Sequence, residues 1–78
     1  MLELEARLVR CYQAVFPMLD EAAVRTATPD RVPTWDSLAT VTLLRLVEEE
    51  FEEPIDLLDL NEPGFESLLS YLLERLPV

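Results

Sequence analysis

The chain has 78 residues, half of them hydrophobic, and 16 acidic residues face six arginines with no lysine or histidine, for a formal net charge of −10. That length allows one domain near the small end of what folds unaided. The charge repels phosphate backbones and anionic membranes, and a single cysteine without histidine excludes an internal disulfide, a histidine-based triad and a cysteine–histidine zinc site.

The start, Met1-Leu2-Glu3-Leu4-Glu5, lacks a basic region and an apolar core, and no apolar run reaches membrane-spanning length. A soluble cytoplasmic protein is expected, with neither a membrane nor nucleic acid as partner. From Leu2 to Phe16, the residues Leu4, Leu8, Cys11, Tyr12, Val15 and Phe16 share one arc of a helix, with Arg7, Arg10 and Gln13 opposite. Cys11 lies inside that arc and reads as a small core residue rather than a nucleophile. Pro17 ends the segment. The stretch from Pro17 to Trp35 holds Pro17, Pro29 and Pro33 and no sustained period, with one helical turn predicted around Asp20 to Val24. So long a connection is functional or disordered in a small domain; Leu19, Val24, Val32 and Trp35 argue that it packs on the bundle. Trp35 is expected to cover the end of the core.

Asp36 and Ser37 open the most regular apolar pattern, a helix predicted from Ser37 to Glu52. Asp36 is a strong N-cap residue, able to accept an orphan amide of the first turn. Ser37 would then be the first helical residue, its hydroxyl in solvent beside the positive end of the helix dipole, where anions are favoured. A serine there suits a covalently attached phosphate group, although Asp-Ser is also an ordinary cap. Leu43, Leu44, Leu46, Val47 and Phe51 form the inward arc. Leu38 and Val41 fall in the opposite sector with Thr42, Arg45, Glu48 and Glu49. They are either scattered surface residues or a small recognition strip that starts at the serine.

Pro54 stops this helix. Ile55 to Asn61 is predicted as one or two helical turns capped by Asp56, and Pro63-Gly64 as a turn. The last helix carries Phe65, Leu68, Leu69, Leu72, Leu73 and Leu76 in a stripe read entirely as core, with Arg75 near its negative end. No strand alternation, repeat or glycine-rich phosphate loop is present. The expected fold is all-α: a small bundle of three principal helices plus one short helix, with a long first loop, in one domain spanning 1–78.

Asp36-Ser37-Leu38, opening a helix that closes on Glu48-Glu49-Glu50-Phe51 inside a small acidic chain, resembles the acyl carrier protein family. The resemblance covers nearly the whole chain, as far as Tyr71-Leu72. It implies an acyl-carrier-like bundle that acts as a monomer, is not itself an enzyme and holds no metal. It further implies that a Mg²⁺-dependent phosphopantetheinyl transferase moves 4′-phosphopantetheine from coenzyme A onto Ser37. The thiol of that arm would carry an acyl or aminoacyl group as a thioester. Asp36 would support the site, capping the helix and helping the transferase place its metal. Leu38, Val41, Arg45, Glu48 and Glu49 would form the face that docks on the transferase, on a loading ligase or acyltransferase, and on synthase enzymes with basic patches.

Four departures bear on the subtype. Thr34-Trp35 stands where fatty-acid-type members carry a small pair, and the Gly-Gly of peptidyl carriers is absent. Arg45 interrupts the docking face, and Glu52 stands where a glycine often follows the phenylalanine. The resemblance therefore points to free-standing carriers of polyketide, modified-acid or aminoacyl pathways more than to housekeeping fatty-acid synthesis. Two other classes remain. One is an unmodified acidic helical adaptor that binds basic partners through the 38–49 face. The other is an enzyme using paired carboxylates among Glu48, Glu49, Glu50, Glu52 and Glu53. Consecutive glutamates splay around a helix rather than converging in a cleft, which disfavours the enzyme.

Overall fold

Two aspartates set where helices begin. Asp20 and Asp36 each accept, through Oδ1 at 2.8 Å, the backbone N–H three residues onward, which satisfies one of the donors that a helix start leaves over. In a computed structural model that describes residues 2–56, 60 and 62–76, the elements are α1 (Leu2–Val15), α2 (Glu21–Arg25), α3 (Ser37–Phe51) and α4 (Phe65–Arg75). The protein is an all-α bundle, and among the described residues it has no strand and no helix long and apolar enough to cross a membrane.

α1 is the hub. It packs on α2, α3 and α4, most extensively on α3, and α2 also meets α4. Leu4, Leu8, Cys11, Tyr12 and Phe16 are buried as their arc requires, and Val9 joins them. Tyr12 and Phe16 build an aromatic cluster with the loops. The Tyr12 ring stands edge-on to Trp35 at 6.0 Å and to Phe65 at 5.4 Å, while Phe16 lies 4.9 Å from Trp35. Such pairs add about 0.5–1.5 kcal/mol each beyond the area they bury. The Tyr12 hydroxyl donates to the Pro63 carbonyl at 2.7 Å, and burial pushes its pKa strongly upward. Trp35 thus closes the core as expected. Its Nε1–H is satisfied at 2.9 Å by Thr40 Oγ1.

The first connection packs on the bundle through Val24, Ala27, Val32 and Trp35, all buried, with Leu19 half-buried. Arg25 holds α2 to α1, donating to Glu5 at 2.7 Å and to Glu21 of its own helix at 3.0 Å. These two bonds raise the guanidinium's pKa. Gly64 lies where the chain packs closely. A Cβ there would lie 2.8 Å from Glu62 Oε1 and 3.1 Å from the Ala27 carbonyl oxygen, the same carbonyl that accepts Phe65 N–H as α4 starts.

Three sequence expectations need correction. The last stripe is not all core: Phe65, Leu68 and Leu72 are buried, but Leu69, Leu73 and Leu76 are only half-covered, and Tyr71 is buried instead. The reason is that α4 packs on α1 and α2 and not, backbone against backbone, on α3, so its cover is narrower than its apolar arc. Leu46 on α3 is half-exposed because it borders an open cleft beside Arg7, Arg10, Cys11 and Ala14 of α1. Finally, Ile55, Asp56 and Leu60 are not helical, while 57–59 and 61 lie outside the described residues. The short helix of this bundle is α2, inside the first connection, and Asp56 takes part in a different interaction described below.

α3 also ends one residue early. Glu52 adopts the left-handed conformation (φ 53°, ψ 42°), and its N–H and that of Glu53 both donate to the Glu48 carbonyl. Left-handed residues commonly close helices, and the position favours glycine. Glu52 holds the one positive φ among the described non-glycine residues.

Candidate functional site

The start of α3 is built from its own neighbours. Trp35 is fixed in the core, and its indole N–H holds the Thr40 hydroxyl, which donates in turn to the Asp36 carbonyl at 3.3 Å. The Thr40 N–H donates to that carbonyl as well, at 3.1 Å. With the Asp36 carboxylate bonded to Ala39 N–H, the first turn is rigid before any ligand arrives. Ser37 follows as the first helical residue and is exposed. Its side chain takes no partner among the described residues. The N–H groups of Ser37 and Leu38 belong to the first-turn donors that a helix cannot satisfy internally. Together with the dipole they favour an anion on the serine by about 0.3–1 kcal/mol.

Below the serine, Leu38 is 73% and Val41 50% exposed. With Met18 at 62%, they are the large hydrophobic side chains left in solvent among the described residues. Arg45 is also exposed. It forms no ion pair among the described residues, although Glu48 and Glu49 lie within one turn. Ser37, Leu38, Val41 and Arg45 therefore share one outward strip.

Glu48 and Glu49 lie one turn beyond Arg45 in the same sector, and each also borders a hollow beside α3. Glu48 is half-buried, and its Oε2 accepts the Ile55 N–H at 2.8 Å. It shares an open groove of about 560 Å³ with Val41, Leu44, Arg45, residues 53–56 and Arg75. Glu49 is exposed and lines a smaller cleft of about 310 Å³ with Arg7, Arg10, Cys11, Ala14, Leu46 and Glu50. The glutamates flank the strip on opposite edges. Helical spacing alone explains this, since adjacent residues project about 100° apart.

The groove has a second fixed wall that no sequence periodicity marks. Asp56 N–H donates to the Tyr71 hydroxyl at 3.1 Å, and the Arg75 guanidinium stacks over the Tyr71 ring at 3.7 Å. On the cleft side, Arg7 reaches across to α3. It donates to Glu50 Oε2 and to the Glu50 carbonyl, both at 2.6 Å, and lies 4.7 Å over the Phe51 ring. Cys11 is the free thiol beneath this clamp. Burial, reinforced by Glu50 and offset by Arg7 and Arg10, pushes it up to about 11. A thiol so protonated is a poor nucleophile at neutral pH, in keeping with a core residue.

Compared with protein-family models, with curated proteins and with solved structures, the chain gives no match.

Proposed function

We propose that the protein is an acyl carrier whose Ser37 bears a 4′-phosphopantetheine arm. The observation that carries the reading is the state of the α3 N-terminus. The cap is supplied by Asp36, so the adjacent serine hydroxyl is left exposed on a rigid first turn. Loading forms a bond from Ser37 Oγ to the pantetheine phosphorus of coenzyme A. It breaks that phosphorus–oxygen bond to the departing adenosine bisphosphate, and the hydroxyl proton passes to the transferase. The bound arm supplies a thiol that holds an acyl or aminoacyl group as a thioester.

The chain's own contribution is to present and orient. Ser37 offers the hydroxyl, and the first-turn amides and dipole support the phosphodiester. Asp36 fixes the helix start, and its carboxylate would help the transferase place its metal. Leu38 and Val41 provide desolvated contact for a partner. Arg45 within that strip, and Trp35 before Asp36, favour a partner of a specialised pathway over a housekeeping fatty-acid enzyme. The net charge of −10 attracts enzymes with basic patches.

Incubation with coenzyme A and a broad-specificity phosphopantetheinyl transferase tests this reading. One phosphopantetheine mass is expected on the wild type and none on Ser37→Ala. Addition at Ser67 or Ser70 would overturn the assignment. A folded wild type that takes no arm would favour the adaptor reading, for which the exposed Leu38 and Val41 already supply a contact surface.

A further inference from the structure

Thr40 ties the turn that begins at Ser37 to the buried core. Its hydroxyl accepts the Trp35 indole N–H at 2.9 Å and donates to the Asp36 carbonyl at 3.3 Å. Trp35 is itself immobilised. Its backbone N–H donates to the Val32 carbonyl at 3.0 Å, and its ring meets those of Tyr12 and Phe16. The Tyr12 hydroxyl in turn donates to the Pro63 carbonyl. A continuous set of contacts therefore runs from the middle of the bundle to the carbonyl just before the exposed serine. Satisfying a buried indole N–H needs only an acceptor; the second bond, from the hydroxyl to Asp36, is the one that reaches the turn. A threonine that bonds back to the carbonyl four residues earlier slightly destabilises its own helix, so the stability of α3 does not account for the arrangement.

We infer that Thr40, held by Trp35, is a positioning residue for group transfer at Ser37. Asp36 and Thr40 bracket the serine within one helical turn, about 6 Å along the axis. The Asp36 carboxylate caps that turn by bonding Ala39 N–H, which fixes the shape of the turn and not its place against the bundle. The Trp35–Thr40–Asp36 linkage supplies the place, and bonds in such a chain polarise and strengthen one another. The hydroxyl of Ser37 is thereby held in one geometry relative to the exposed Leu38 and Val41. A transferase seated on those two side chains finds the nucleophile already aimed. Without the linkage the cap survives but the turn shifts against the rest of α3, and a misplacement of about 1 Å costs as much as about 10²-fold in a transfer rate. This inference rests on the carrier reading of Ser37 and adds which residues aim its hydroxyl.

Steady-state loading from coenzyme A by a broad-specificity phosphopantetheinyl transferase tests this, on variants shown by circular dichroism to be folded at the assay temperature. Thr40→Val keeps the shape of the side chain and removes the hydroxyl. Its kcat is expected to fall roughly tenfold, the equivalent of one hydrogen bond, while KM for the carrier stays within about twofold because the docking side chains are unchanged. Thr40→Ser returns the hydroxyl and should recover the wild-type kcat, which a purely structural role would not require. Trp35→Phe removes the indole donor and should lower kcat as well. The double variant should be no slower than Thr40→Val, since both changes break one linkage. In NMR spectra recorded without coenzyme A, the Trp35 indole proton should exchange faster in Thr40→Val and not in Thr40→Ser. Wild-type kcat in Thr40→Val, no recovery in Thr40→Ser, or losses that multiply in the double variant would overturn the positioning role while leaving Ser37 as the loaded residue. A folded wild type that takes no arm overturns the carrier reading and this inference with it.

Discussion

The two ends of α3 are finished in opposite ways. The C-terminal end is closed from several directions: Arg7 of α1 takes the Glu50 carboxylate and carbonyl, Glu52 turns the chain in the left-handed region, and Glu48 fastens Ile55. The N-terminal end is held by the Asp36 cap and the Trp35–Thr40 bond, with Ser37, Leu38 and Val41 left in solvent. An end whose polar groups are consumed by the fold has no capacity left for a ligand. An end held from within by its cap and the Trp35–Thr40 bond, with spare amides beside an exposed hydroxyl, does. The difference supports the proposal that Ser37 is the site of modification.

The comparison would break if the two ends did not share one core. Leu43 is fully buried between them, and Leu43→Ala should cost about 2–5 kcal/mol. That is a large part of the roughly 5–10 kcal/mol available to so small a domain. Chemical denaturation should show both ends lost together, whereas Leu38→Ala should stay within about 0.5 kcal/mol of wild type.

Next in size is an alkaline effect at the closed end. The Cys11 thiol is raised from 9.0 to about 11, so its neutral form stabilises the fold fully below pH 9. That contribution is lost as the pH climbs through 11, because the unfolded thiol ionises first. The loss is on the order of 2 kcal/mol. Denaturation midpoints measured across this range should fall for wild type. In Cys11→Ala the fall should begin only near pH 10, where buried Tyr12 starts to matter.

Arg7→Ala removes the clamp on the Glu50 carbonyl and the Phe51 stack. Since Arg7 and Glu50 are partly solvated, the expected cost is about 1–2 kcal/mol, shrinking with salt. Asp36→Ala should cost about 1 kcal/mol through the lost cap, and thermal melts would register it. Smallest is Glu52→Gly, which should stabilise by roughly 0.5–1 kcal/mol because the left-handed position no longer carries a side chain.

Much of this was legible in the sequence. The α1 arc, the Asp36 cap, the packing of Trp35 and the exposure of Ser37, Leu38 and Val41 follow from helical period and cap chemistry, which act over a few residues. What was not legible depends on how the chain returns in space. Arg7 and Glu50 are 43 residues apart, and the Glu48–Ile55 bond spans a proline, so neither belongs to any helical period. Leu46, Leu69 and Leu73 read as core because an apolar arc can be wider than the surface that covers it. Leu46 borders a cleft on the α1 side, while the half-exposure of Leu69 and Leu73 goes with α4 packing on α1 and α2 only.

Intact mass spectrometry of the protein purified from its native host tests the central claim most directly, with fragmentation to place any adduct. Ser37 is expected to carry a phosphopantetheine mass, with or without an acyl or aminoacyl group on its thiol. A chain with an unmodified Ser37, from cells whose other carrier proteins are fully loaded, would contradict it.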